Sequence, residues 1–169
     1  MAFPSKSERP KIKIPLQSLD YALEILAAWG LLGSIGLATY YYGQLPEQIP
    51  THFGPSGQPD AFGSKNSLWL LPIMGTAIFA LMTFLNRRPD WFNYPTKITA
   101  ENAERQYTLG VRFIRFLKAT VMLLFAYLVW GTINIATGGA EKLSSWILIL
   151  PLLTVGSVLF FFYSSATKK

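Results

Sequence analysis

Four stretches of this chain, residues 25–43, 68–85, 119–136 and 143–165, contain no Asp, Glu, Lys or Arg. Each is about 18 to 23 residues long, enough at about 1.5 Å per residue for a helix to cross a hydrocarbon layer of about 30 Å. Helices suit such a setting because they satisfy their own backbone hydrogen bonds where no water is available. Only 14% of the 169 residues are charged, against roughly 25% in soluble domains, and a buried soluble core of this size would seldom need four uncharged runs. The first run has basic residues before it, and Gly36-Leu37-Ala38 resembles a signal-cleavage site. It nevertheless exceeds the roughly 7 to 15 apolar residues of a signal core, and Tyr40, Tyr41 and Tyr42 form an interfacial anchor rather than a cut site. Four transmembrane helices are expected.

The basic residues predict the orientation. Lys6, Arg9, Lys11 and Lys13 precede the first run; Arg87, Arg88, Lys97, Arg105, Arg112, Arg115 and Lys118 lie between the second and third; Lys168 and Lys169 follow the fourth. Of the fifteen Lys and Arg, that leaves only Lys65 and Lys142 on the other side. The positive-inside rule therefore predicts a multi-pass protein of the inner (plasma) membrane with both termini cytoplasmic. The net charge of +6 reads as a topology signal, with some attraction for anionic lipid heads. Nothing in the sequence supplies the basic groove or stacking platform of a nucleic-acid binder.

Residues 45–65 then face outward, and they are the most distinctive polar segment. They hold Pro46, Pro50, Pro55 and Pro59, glycines at 54, 57 and 63, and the only histidine, His52. Proline removes a backbone donor and glycine permits positive φ, so this loop is expected to be neither helix nor regular strand. Pro50, His52, Phe53, Asp60 and Lys65 are its candidate recognition residues. His52 is expected to hydrogen-bond loop backbone and to pack with Phe53 and Phe62. A metal site with Glu47 and Asp60 is disfavoured because spacings of five and eight match no ligand pattern. With no cysteine there is no thiol chemistry, and HExxH, GxSxG, phosphate-loop and dinucleotide motifs are all missing. The chain is therefore expected to be non-enzymatic, without metal or cofactor.

Gly30, Ser34 and Ala38 recur every four residues and form a small-residue face for close helix packing. Whether that face meets the second helix or another subunit is left open. Glu24, at the start of the first helix, is assigned to the favourable field of the helix N-terminus. The third helix is expected to run from about residue 100 to 136, with Arg112, Arg115 and Lys118 marking where it meets the membrane and snorkelling outward. Thr120, Tyr127, Thr132 and Asn134 are its main polar groups and suggest interhelical hydrogen bonds.

The loop and its flanks resemble a bacterial membrane domain of unknown function, number 1648, best known as the N-terminal part of SdpI-type immunity proteins. The likeness rests on Tyr41-Tyr42, Leu45-Pro46, Ile49-Pro50-Thr51-His52-Phe53, Gly57, Pro59-Asp60, Gly63-Ser64-Lys65 and Pro72 in the next helix. It covers about residues 22–80. The resemblance implies a multi-helix inner-membrane protein without known catalysis. SdpI-type members protect the producing cell from a secreted peptide toxin, and at least one also sequesters a transcriptional repressor at the membrane. Those proteins have more helices, and the second half of this chain shows none of their pattern.

The expected fold is an all-α integral membrane protein with four transmembrane helices as two hairpins. It comprises a cytoplasmic tail (1–19), a first transmembrane hairpin (20–86) with the outer loop 45–65, and a cytoplasmic connector with an amphipathic extension of the third helix (87–116). A second transmembrane hairpin (117–165) and a short tail (166–169) complete it. The expected partners are the lipid bilayer and either a secreted peptide or another membrane protein, the latter making the chain an accessory subunit of a larger complex.

Overall fold

A computed structural model describes residues 9–167. Lys6, Lys168 and Lys169, and with them the outer parts of both expected tails, lie outside the described residues. Four helices, α1 (Ser18–Tyr41), α2 (Leu70–Leu85), α3 (Ala103–Ala136) and α4 (Ile149–Thr167), account for most of the chain. With the short turns that adjoin them, all four are long and apolar enough to cross a membrane. Their outward faces are studded with exposed large side chains such as Trp29, Leu32, Ile73, Leu152 and Phe160. In water such a surface would be an aggregation hazard, whereas in lipid it is the solvated surface.

The helices adjacent in sequence touch, α1 with α2 and α3 with α4, but the most extensive packing is between α1 and α3. α3 is the hub: it lies along α1 and also touches α2 and α4. The small-residue face of α1 makes this possible, since Gly30, Ser34 and Ala38 are all buried. A Cβ placed on Gly30 would sit 2.7 Å from the Met122 carbonyl carbon, so the α1 and α3 backbones meet there directly. The partner of this face is therefore α3 of the same chain.

α2 and α4 begin alike. Each is preceded by a 3-10 turn, Lys65–Trp69 or Ser145–Leu148, and each carries proline as its third residue, Pro72 or Pro151. In the first helical turn the missing N–H has no intrahelical acceptor to lose.

One end of the bundle is basic and is tied together by segments distant in sequence. Arg9 donates to the carbonyls of Asp90 (3.1 Å) and Phe92 (2.7 Å), and the Tyr107 hydroxyl donates to the Pro10 carbonyl. Ile14 packs beside the buried cluster of Ile98, Ala103 and Tyr107. Residues 9–17 thus form a strap laid across the connector. Within the connector, Arg88 grips Asp90 with two hydrogen bonds of 3.1 and 2.9 Å, which holds the Asp90 carboxyl below its usual range. Burial pushes the Tyr94 phenol well up. The foot of α4 is docked by Phe161 stacking on Phe113 at 4.9 Å and by Gln106, which exchanges hydrogen bonds with Ser165.

Candidate functional site

At the opposite end the proline-rich loop departs from expectation. It forms an antiparallel pair, β1 (Gln48–Phe53) and β2 (Pro59–Ser64). The pairing tolerates its prolines by being irregular. Register shifts flank His52, and Pro59 opens its strand, both positions where a sheet admits a residue without N–H. The tip is a tight turn in which the Gly57 N–H donates to the Gly54 carbonyl at 2.9 Å. Pro55 occupies its second place and Gly57 its fourth, the residues such turns favour. Gly57 has φ of 81°, a region that other residues enter only with strain.

The base of the hairpin is pinned by Lys65. Its backbone N–H donates to the Glu47 carbonyl at 3.0 Å, its ammonium pairs with the Glu47 carboxylate at 2.8 Å and it lies 5.4 Å from the centre of the Tyr42 ring. Tyr42 in turn donates to the side-chain oxygen of Asn66. Ile49 is fully buried and joins Ala38, Leu45, Leu68, Val129 and Ile133 in a core cluster, so the hairpin is anchored by burial as well as by charge.

The turn docks on the segment that follows α3. The Gly57 carbonyl accepts a 2.8 Å hydrogen bond from the Leu143 N–H. A Cβ at Gly57 would lie only 2.6 Å from the Leu143 carbonyl oxygen, so glycine is required there for space as well as for φ. The Leu143 side chain is seated over Gly131 of α3, where a Cβ would come within 2.3 Å of it. The Tyr127 hydroxyl holds the next residue, accepting from the Ser144 N–H at 3.0 Å.

Between the hairpin, the start of α2, the loop-side end of α3 and residues 143–148 lies a half-open cavity of about 450 Å³. Its walls are mainly apolar, with Ile49, Phe53, Leu71, Leu128, Val129 and Leu148 among them. Hydroxyls of Ser56, Ser67, Ser144 and Ser145 and the His52 imidazole belong to its more polar part. The volume falls within the roughly 300–1,000 Å³ typical of small-ligand sites.

Three of the five expected recognition residues, Pro50, His52 and Phe53, line this cavity. Asp60 reaches it through His52, whose Nδ1 lies 2.5 Å from the Asp60 carboxylate. His52 is therefore engaged by a side chain rather than by loop backbone. Lys65 belongs to the foot of the hairpin and not to the wall. Glu47 is engaged by Lys65 and does not converge on His52 and Asp60; among the described residues no group of three or more His, Cys, Asp or Glu could hold a metal ion.

Leu128, Val129, Thr132, Leu143, Ile147 and Leu148 were not foreseen as part of the site. The signal for them was weak: Gly138-Gly139 after α3 marks a turn but not where Leu143 goes. The polar groups of α3 also serve other ends than expected. The Thr120 hydroxyl donates to the Phe116 carbonyl of its own helix, Tyr127 holds the loop, and Thr132 lines the cavity.

The basic end holds a second cluster. Lys118 is fully buried, and its ammonium donates to Glu24 at 2.6 Å and to the Thr83 hydroxyl at 2.9 Å. Arg115 pairs with Asp20 at 2.9 Å and approaches Glu24 at 3.4 Å, and Arg112 approaches Asp20 at 3.4 Å. Lys118 and Arg115 therefore turn inward toward α1 instead of snorkelling. Glu24 is an ion-pair partner rather than a helix-end acid. The first-turn electrostatic role falls to Asp20, which accepts the Gln17 N–H at 2.9 Å.

Residues 29–76 match the sequence profile of a domain of unknown function, DUF1648. The matched stretch contains the second half of α1, the whole hairpin and the beginning of α2, which is one wall of the cavity. An uncharacterized protein of the archaeon Archaeoglobus fulgidus is 31% identical over 156 residues, covering 83% of this chain and 83% of the relative. No solved structure matches the chain.

Proposed function

The chain belongs to the DUF1648 family, and from that membership we propose that it is a non-enzymatic membrane receptor whose hairpin end faces outward and recognises a secreted peptide or a cell-envelope partner. The membrane is the cytoplasmic one, the inner membrane where a cell has two, and the basic end with both termini lies inside. One observation carries the reading: a stably docked hairpin closes a mainly apolar cavity of about 450 Å³ at the end of the bundle opposite the cations. A site of this kind buries apolar side chains and orients them with the polar groups at its edge. The His52–Asp60 pair is exposed and stands at that edge, placed for contact with a polar group on the ligand.

Protection against a peptide toxin is the form of this reading closest to the resemblance of the loop to SdpI-type proteins. An accessory-subunit role is less favoured, because the Gly30, Ser34 and Ala38 face that would have held a partner is occupied by α3.

The test is a deletion strain complemented with wild-type chain, Phe53→Ala or Leu128→Trp, the last filling the cavity, and exposed to a panel of secreted peptides. Sensitivity to at least one peptide on deletion, rescued by wild type and not by the variants at equal membrane levels, is expected. Identical survival of all strains across the panel, together with no peptide captured by the purified chain in nanodiscs, would refute the proposal.

A further inference from the structure

The cation cluster at the basic end is not balanced. Arg112, Arg115 and Lys118 meet two carboxylates, Asp20 and Glu24, among the described residues, and their other side-chain partners, Gln17 for Arg112 and Thr83 for Lys118, are neutral. Arg115 and Lys118 are almost wholly buried and pair off with Asp20 and Glu24, so the surplus positive charge falls on Arg112, at the rim of a low-dielectric cluster where an accompanying anion is favoured. Arg112 is also only loosely held within the chain: its Nη2 donates to the neutral Gln17 side chain, and its buried Nε has no hydrogen bond and only faces Asp20 at 3.4 Å.

Depth identifies where the missing charge would come from. Met122 packs against Gly75, the midpoint of the apolar span Lys65–Leu85, which sets the level of the bilayer centre on α3. Arg112 lies ten residues nearer the basic end, about 15 Å along the helix and therefore at the edge of a hydrocarbon layer about 30 Å thick. That is the level of the phospholipid phosphates. Arg112 is also the most accessible of the three cations, with 30% of its side chain exposed, and Lys13 stands exposed on the adjoining strap.

We infer that Arg112 is the head of a specific site for the phosphate of an anionic phospholipid, seated beside the strap and completing the charge balance of the Asp20, Glu24, Arg115 and Lys118 cluster. With Nε turned to Asp20 and Nη2 donating to Gln17, the exposed end of the guanidinium offers charge-assisted donors to a phosphate oxygen. The lipid thereby becomes a structural ligand of the α1 and α3 feet rather than part of a diffuse counter-charge.

Native mass spectrometry of the full chain in detergent, titrated separately with phosphatidylglycerol, phosphatidylcholine and inorganic phosphate, tests this. One phosphatidylglycerol should be retained in preference to phosphatidylcholine by about fivefold or more, the scale of one charge at the headgroup level, because both lipids carry a phosphate but the choline ammonium neutralises its own. Arg112→Gln should abolish that preference, while Arg87→Gln, which removes an exposed cation of the connector just after α2, should leave it intact. Equal retention of the two lipids by the unmodified chain would overturn the inference, and that comparison does not depend on how any variant folds. Displacement of the lipid by an equal concentration of inorganic phosphate would overturn the assignment to a lipid, as would wild-type selectivity in Arg112→Gln.

Discussion

Lys118 has no contact with water in the folded chain, and its nearest carboxylate is Glu24 at 2.6 Å. Glu24 is better provided for, because the Nε of Arg115 lies 3.4 Å from its other oxygen. The two halves of this pair are therefore not equivalent. Removing Lys118 leaves Glu24 with Arg115 and the cluster with equal charge, whereas removing Glu24 leaves Lys118 without a carboxylate, with the Thr83 hydroxyl and the face of Phe79. Glu24→Gln is expected to cost about 3–5 kcal/mol, the range for stranding one member of a buried pair, and Lys118→Met clearly less. Thermal unfolding of the two variants in the same detergent checks the order. The reverse order, or two equal losses, would show that the pair is not coupled through Arg115 in this way.

The hairpin exists because local and distant requirements agree on the same few residues. Pro55 and Gly57 make the turn, Ile49 buries itself against α1 and α3, and Gly57 also makes room for the Leu143 backbone. Gly57→Ala should strain a backbone at φ of 81° and press on the Leu143 carbonyl, breaking the hydrogen bond that joins the two loops. The expected cost is about 1–3 kcal/mol, confined to the loop end: the Leu143 amide should exchange with solvent much faster, while helical amides of α1 and α3 keep their protection. Hydrogen exchange read by mass spectrometry decides it, and an unchanged Leu143 rate would mean the docking is not held by this glycine.

The same hairpin shows why its strands were not legible in the sequence. Four prolines argue against a regular ladder, and the actual pairing is irregular. It survives because a two-stranded ribbon has two free edges and places for bulges, which no count of prolines reveals. The turn itself was legible, since Gly and Pro act through their own backbone angles and need no distant partner.

The whole molecule has two chemically distinct ends, one gathering the strap, connector and cations, the other gathering the hairpin and residues 143–148. The chain contains no cysteine, so introduced thiols report without background. Ser56→Cys at the turn should react with a membrane-impermeant maleimide in intact cells, and Lys97→Cys in the connector only after permeabilisation. The opposite pattern would invert the proposed topology and place the cavity inside.

Membrane class, the number of helices and the asymmetry of charge between the two ends could all be read from the linear chain. Each is a sum over neighbouring residues: the length of an uncharged run, the side on which a Lys or Arg falls. Which helix packs on which could not be read in the same way. Gly30 shows that α1 can be approached closely, but only the fold shows that Met122, far along the chain, is what approaches it. The inward turn of Lys118, the partner of Glu24 and the cavity walls beyond the hairpin share that origin. They depend on side-chain directions set jointly by helices and loops remote in sequence, and therefore come into being only when those elements are packed together.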